Sequence, residues 1–185
     1  MRSRLCVTTL ILAAGCAATG LPINDHHAIR AVSPVGVDQF LVGMSWSDAQ
    51  RLCVEAQRTD EGKRAALSVN TFFRCVTADG TLLIELDSEE HLLSVGVLDG
   101  EVSIAGVGVL QIGQSFSSVA RQAEGFELIA VIDEGGTLML RSAGIRLVFE
   151  VRSSNLLRLP RPEMLEEIGD WPLHEVVVHG YGTNY

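Results

Sequence analysis

Leu41-Val42-Gly43-Met44-Ser45-Trp46-Ser47-Asp48-Ala49 returns seventy residues later as Gln111-Ile112-Gly113-Gln114-Ser115-Phe116-Ser117-Ser118-Val119. The shared pattern is Val/Ile-Gly-x-Ser-Trp/Phe-Ser. A serine two places after a glycine invites comparison with a nucleophile elbow, but that turn needs a second small residue two places after the serine. Ser47 and Ser117 stand there, each behind a bulky aromatic. The pattern reads better as a helix start: Ser45 followed by Asp48 has capping-box spacing, and either serine can accept from the free N–H groups of a first turn. Duplication points the same way, since an active site seldom needs two equivalent copies. Trp46 and Phe116 sit just inside the two helix starts, where an aromatic can pack on a sheet.

Working outward, the segment after each copy runs in parallel. The first copy leads into a helical stretch over about 47–58, a polar loop, Thr71–Val76, an Ala78-Asp79-Gly80 turn, Thr81–Leu86, the acidic turn Asp87-Ser88-Glu89-Glu90 and His91–Leu98. Asp-Gly between apolar runs is a strong hairpin signal. The second leads into a helix over about 117–123, then Phe126–Ile132, Glu134-Gly135-Gly136, Thr137–Arg141, Ser142-Ala143-Gly144 and Ile145–Val151, closing with HEVVVH over His174–His179. Residues 152–172 interrupt this half; within them Pro162–Gly169 has proline at its start, acids in its first turn and glycine at its end, the marks of a short helix.

These patterns predict an α+β fold: two tandem units, each a helix followed by an antiparallel β-meander, packed as one compact body. The first unit spans 37–104, and the second spans 105–185 with the insertion 152–172.

The N-terminus carries an address. Arg2 and Arg4 precede an apolar run from Leu5 to Ala14, the layout of a secretory signal peptide and too short to span a bilayer. Its end, Leu12-Ala13-Ala14-Gly15-Cys16, resembles a bacterial lipobox, although Ala13 stands where leucine is commoner. The resemblance implies that residues 1–15 are removed and that Cys16 is acylated as the mature N-terminus. It also implies an address in the cell envelope, with the protein held in the lipid bilayer. Ala17 is not the aspartate associated with inner-membrane retention, which favours the outer membrane, facing the periplasm. Residues 16–36, with Pro22 and Pro34, suit a flexible tether.

With Cys6 in the signal and Cys16 taking lipid, Cys53 and Cys75 remain in the body. An exported protein matures in an oxidising compartment, so a Cys53–Cys75 disulfide is expected. A metal site is the poorer alternative, for there is no CxxC and no nearby histidine cluster.

The formal charge of −9 becomes −11 once the two signal arginines leave, which argues against nucleic acid as a partner. No metal or cofactor is expected. His174 and His179 are five apart and point to opposite faces of one strand. His26 and His27 fall in the tether. The acids at Asp87, Glu89, Glu90, Asp133 and Glu134 lack the spacing of a calcium loop. Arg141 and Arg146 flank a turn, and the tail from Gly180 to Tyr185 reads as a frayed terminus.

In element order, the chain is similar to the β-lactamase inhibitory proteins, built from two helix-plus-meander units, and to the small lipoprotein of the outer-membrane barrel assembly complex, built from one. Gly43, Ser45, Gly113 and Ser115 carry that likeness. It implies a binding or scaffolding role toward an envelope protein, without catalysis. The alternatives are an envelope serine hydrolase using Ser45 or Ser115 with His91 or His174, and a carrier of a small apolar ligand between the two units.

Overall fold

In the computed structural model, which describes residues 28–60, 70–131, 137–150 and 161–180, strands dominate. They are β1 (Arg30–Ser33), β2 (Gly36–Val37), β3 (Phe40–Leu41), β4 (Glu55–Thr59), β5 (Thr71–Thr77), β6 (Gly80–Leu86), β7 (Leu92–Val97), β8 (Glu101–Ile104), β9 (Gly108–Gln111), β10 (Glu127–Val131), β11 (Thr137–Ser142), β12 (Ile145–Phe149) and β13 (Leu173–His179). The helices α1 (Trp46–Gln50), α2 (Phe116–Gln122) and α3 (Arg161–Glu167) are five to seven residues long, and a 3₁₀ turn, Ile168–Asp170, follows α3.

This corrects the expected α+β body of two helix-plus-meander units. Among the described residues the protein is mostly β and has two sheets, one of eight strands in the order β10-β11-β12-β13-β7-β6-β5-β4 and one of five in the order β3-β2-β1-β8-β9. Both halves contribute their strands to the larger sheet, where β7 and β13 pair antiparallel at its centre. The smaller sheet draws β1, β2 and β3 from before the first helix and β8 and β9 from before the second.

Alternation along the strands builds the core. One face of the large sheet presents Cys75, Leu82, Ile84, Val95, Val97, Leu138, Leu140, Ile145, Leu147, Phe149, Val176 and Val178, all buried. Against it pack Val32, Val37, Phe40, Val102, Ile104 and Leu110 of the small sheet, with Ala49, Phe116 and Val119 of the helices. Each Val, Leu, Ile or Phe among them contributes about 1.5–3 kcal/mol when fully buried.

Two further expectations fail for identifiable reasons. The helix expected over 47–58 ends at Gln50, and Glu55–Thr59 is an edge strand paired with β5. A Cys53–Cys75 disulfide, with Cα atoms 5.5 Å apart, ties the helix exit to β5, and the Val54 N–H donates to the Val76 carbonyl at 2.7 Å. The chain is therefore held against the sheet, and tertiary pairing overrides the helical leaning of this stretch. The tether expected over 16–36 gives way at Arg30, where β1 enters the middle of the small sheet, parallel to β8. Arg30 is 2% exposed. Its Nη1 donates to Asp38 Oδ2 at 2.9 Å and its Nη2 to the Thr77 hydroxyl, so one guanidinium joins the small sheet to the β5–β6 turn of the large one. Cys16, His26 and His27, the loop acids Asp133 and Glu134, and the tail after Gly180 lie outside the described residues.

Candidate functional site

The repeated motif organises the backbone in the same way twice. Gly43 (φ 85°) and Gly113 (φ 94°) both take the positive φ that glycine alone adopts freely. Gly43 N–H donates to the Leu92 carbonyl at 2.8 Å and Gly113 N–H to that of Leu173 at 2.7 Å. Trp46 N–H reaches the Glu90 carbonyl, and Phe116 N–H that of Trp171, both at 2.8 Å. Leu92 N–H returns to Met44, and Leu173 N–H to Gln114, again at 2.8 Å. Each copy thus clamps the start of its helix to the start of a central strand.

The serines sit within that clamp. Ser45 is the N-cap of α1; its hydroxyl accepts from Asp48 N–H at 3.3 Å and donates to Asp48 Oδ2 at 2.8 Å. Ser115 has the same backbone conformation at the start of α2 but makes no side-chain cap bond. A difference in stability follows: Ser45→Ala costs about 1 kcal/mol, as a lost cap does, and Ser115→Ala well under that. Urea denaturation of the two variants reads this contrast directly. Trp46 stacks on Phe73 with ring centroids 4.3 Å apart, and Phe116 meets Phe149 edge-on at 5.0 Å.

Ser45 forms a backbone bridge with His91, but His91 Nδ1 lies 3.9 Å from both Asp87 Oδ1 and Glu89 Oε2, while the serine hydroxyl is engaged with Asp48. In the second copy proline, Pro172, occupies the place of His91. His174 is exposed on β13. The Asp87 carboxyl is held below its ordinary value, chiefly by the His91 N–H that donates to it at 2.9 Å. Among the described residues no group of three or more His, Cys, Asp and Glu side chains comes together as a metal site.

Sequence reading missed a second cluster, on the outer face of the large sheet. Glu85 on β6, Ser94 on β7 and His179 on β13 are directly opposed in register, which puts them in one row. Ser94 Oγ donates to Glu85 Oε2 at 2.7 Å, Asn70 Nδ2 donates to Glu85 Oε1 at 2.7 Å, and His179 Nε2 lies 3.9 Å from Glu85 Oε2. Ser94 and His179 are buried, as is Glu175 nearby, and Glu175 lies across Gly96. A Cβ on Gly96 would stand 1.8 Å from Glu175 Oε1. The available signal was a lone acid or histidine at alternate positions of otherwise apolar strands, as in LLIEL and HEVVVH.

The order of groups in this row decides its chemistry. In a nucleophilic relay the imidazole stands between serine and acid. Here the carboxylate stands between serine and imidazole, so the Ser94 proton is directed at Glu85. The row is a buried polar network.

Burial pushes the His179 imidazole below its ordinary value of 6.5, and Arg146 pushes it the same way, while the Gly180 carbonyl and Glu85 pull against them. As pH falls through about 6.5 the unfolded chain takes up this proton first, so stability is lost until the folded imidazole is protonated too. The unfolding midpoint is therefore expected to fall as the pH drops below about 7, and to fall less in His179→Gln. Equal slopes in thermal melts of the two proteins would remove His179 from the account.

Compared with protein families, with curated proteins and with solved structures, the chain matches none. The two-sheet fold removes the element order on which the likeness to helix-plus-meander envelope modules was drawn.

Proposed function

We propose that the protein is a lipid-anchored component of the bacterial envelope that acts by binding another protein and carries out no catalysis of its own. The observation that carries this reading is where apolar side chains meet solvent. Val54 (78% exposed) just before the edge strand β4 and Val76 (36%) on its neighbour β5 flank one edge of the large sheet, while Leu41 (46%) on β3 and Val109 (47%) on β9 lie at the two edges of the small one. An edge strand offers unpaired main-chain N–H and C=O groups, and exposed apolar side chains beside it add contact area; together they suit an added strand from a partner.

The anchor half of the reading rests on the lipobox resemblance. One acyl chain binds a membrane only marginally, and the several chains of a mature bacterial lipoprotein would hold Cys16 firmly. Serine chemistry is disfavoured because the Ser45 hydroxyl is spent on Asp48 and its counterpart Ser115 faces a proline bridge.

Affinity capture from envelope extract tests the binding half, using the full-length chain beside Val54→Glu, Leu41→Glu and Val109→Glu. The reading predicts a reproducible partner that is lost in at least one edge variant whose fold is unchanged. Repeated recovery of nothing, together with a fluorophosphonate adduct on Ser45 or Ser115, would replace it with a hydrolase. Intact mass tests the anchor: the mature chain is expected to begin at Cys16 and to carry acyl mass there.

A further inference from the structure

We propose that the free edge of β9 is the docking groove, and that its occupant is an extended peptide segment with a basic residue two positions before an apolar one, so that both fall on one face. This rests on the protein-binding reading above and names the site of that binding.

β9 pairs antiparallel with β8 in the register Glu101↔Gln111, Val102↔Leu110, Ser103↔Val109, and Ile112 N–H continues the ladder to the Gly100 carbonyl at 3.0 Å. In such a ladder the N–H and C=O of alternate residues face the same neighbour. Leu110 and Ile112 therefore bond toward β8, and Val109 and Gln111 present theirs to the open side. The chain itself covers Gln111: Gln114 Oε1 accepts its N–H at 3.1 Å, and Gln114 N–H donates to its carbonyl at 3.0 Å. Val109 has no such cover among the described residues. The edge is thus closed at one end and open at Val109.

Side chains define what fits. A cleft of about 490 Å³ runs along this edge, lined by Val109, Leu110, Ile112 and the flanking polar residues Gln111 and Gln114, with Glu101 from β8. Glu101, Ser103, Val109 and Gln111 share the solvent face, while Val102, Ile104 and Leu110 are buried on the other. An antiparallel strand can exchange both main-chain bonds of one residue with Val109, and that residue's side chain falls beside the exposed valine. The next same-face position lies over Gln111, within reach of Glu101, the one ionisable side chain of the cleft. A lysine or arginine there is attracted both by that carboxylate and by the acidic body. In the first copy of the motif Met44 stands where Gln114 does, so the side-chain cap that sets the register belongs to the second copy alone.

The test uses the ¹⁵N-labelled full-length chain in detergent micelles and a blocked hexapeptide of threonines that carries one lysine two positions before one valine. Saturable amide shifts are expected, largest at Val109 and Gln111. Binding should weaken about tenfold when the lysine becomes glutamate, or when N-methyl groups block the peptide amides that face β9. Val109→Pro, which removes the donor at an outward edge position that tolerates proline, should abolish it. Glu101→Gln, which leaves the backbone untouched, should weaken it several-fold and so guards against a misfolded proline variant. No shifts at millimolar peptide, shifts centred on β3 or β4, or equal binding of the N-methylated peptide would each overturn the proposal. If envelope capture persists in Val109→Pro, the groove is wrong and protein binding stands. If capture fails in the wild type while the peptide still binds β9, the groove stands and the wider reading falls.

Discussion

Replacing Cys53 and Cys75 together with alanine is expected to lower the unfolding free energy by about 3 kcal/mol, the chain-entropy estimate for a loop of this length. The two cysteines are 22 residues apart. For a chain of this size that corresponds to a drop in midpoint of roughly 6–12 °C. The loss should also be local. Because the disulfide holds the exit of α1 against β5, amide exchange in Glu55–Thr59 should accelerate before that in β6 or β7. Reductant added to the wild type should reproduce both effects. A midpoint unchanged by substitution and by reductant would mean that the β4 edge is held by its ladder alone.

Gly96→Val is expected to cost about 2–5 kcal/mol, combining overpacking with displacement of a buried, partnered carboxylate. The reason is the 1.8 Å that separates a Cβ at this position from Glu175 Oε1, on a carboxylate that is only 5% exposed. The position also has meaning for the whole fold. Val176↔Val97, Val177↔Gly96 and Val178↔Val95 exchange with one another under the equivalence that matches Leu92 to Leu173. A local two-fold axis therefore passes through the Gly96–Val177 pair, where the two halves join. Glu175→Ala made in the Gly96→Val background should recover at least about 1 kcal/mol relative to additivity, since residues in contact couple by that much. Strict additivity in urea denaturation would place the cost elsewhere than in this contact.

The repeat at Gly43–Ser45 and Gly113–Ser115 was legible because positive φ and capping demand particular residue types at fixed spacing, and local chemistry of that kind survives in sequence. The β5–β6 turn was legible for the same reason, through Asp79-Gly80. The Cys53–Cys75 pair was legible because a reading that assigns Cys6 to a signal and Cys16 to lipid leaves these two to pair. The small sheet was not, for its strands are two to four residues long, and a period of two cannot be read in Gly36–Val37 or Phe40–Leu41. Arg30, buried beside Asp38, looks like a tether residue until its non-local partner Thr77 is known. Glu55–Thr59 reads as a helix from composition and becomes a strand through its attachment to β5. The Glu85–Ser94–His179 row was hidden because its members come from three strands, and only the register brings them together.

We propose that this chain acts by lending a sheet edge to a protein partner, with its duplicated serines serving the fold. Site-specific photo-cross-linking tests it most directly, with a photoreactive residue placed singly at Val54, Leu41 or Val109 of the full-length chain in the cells that produce it. The account predicts a discrete cross-linked protein at one edge, strongest at Val109, and the same product when Ser45 and Ser115 are both alanine. Cross-links absent from all three edges, or a product lost on removing the two serine hydroxyls in a folded chain, would contradict it.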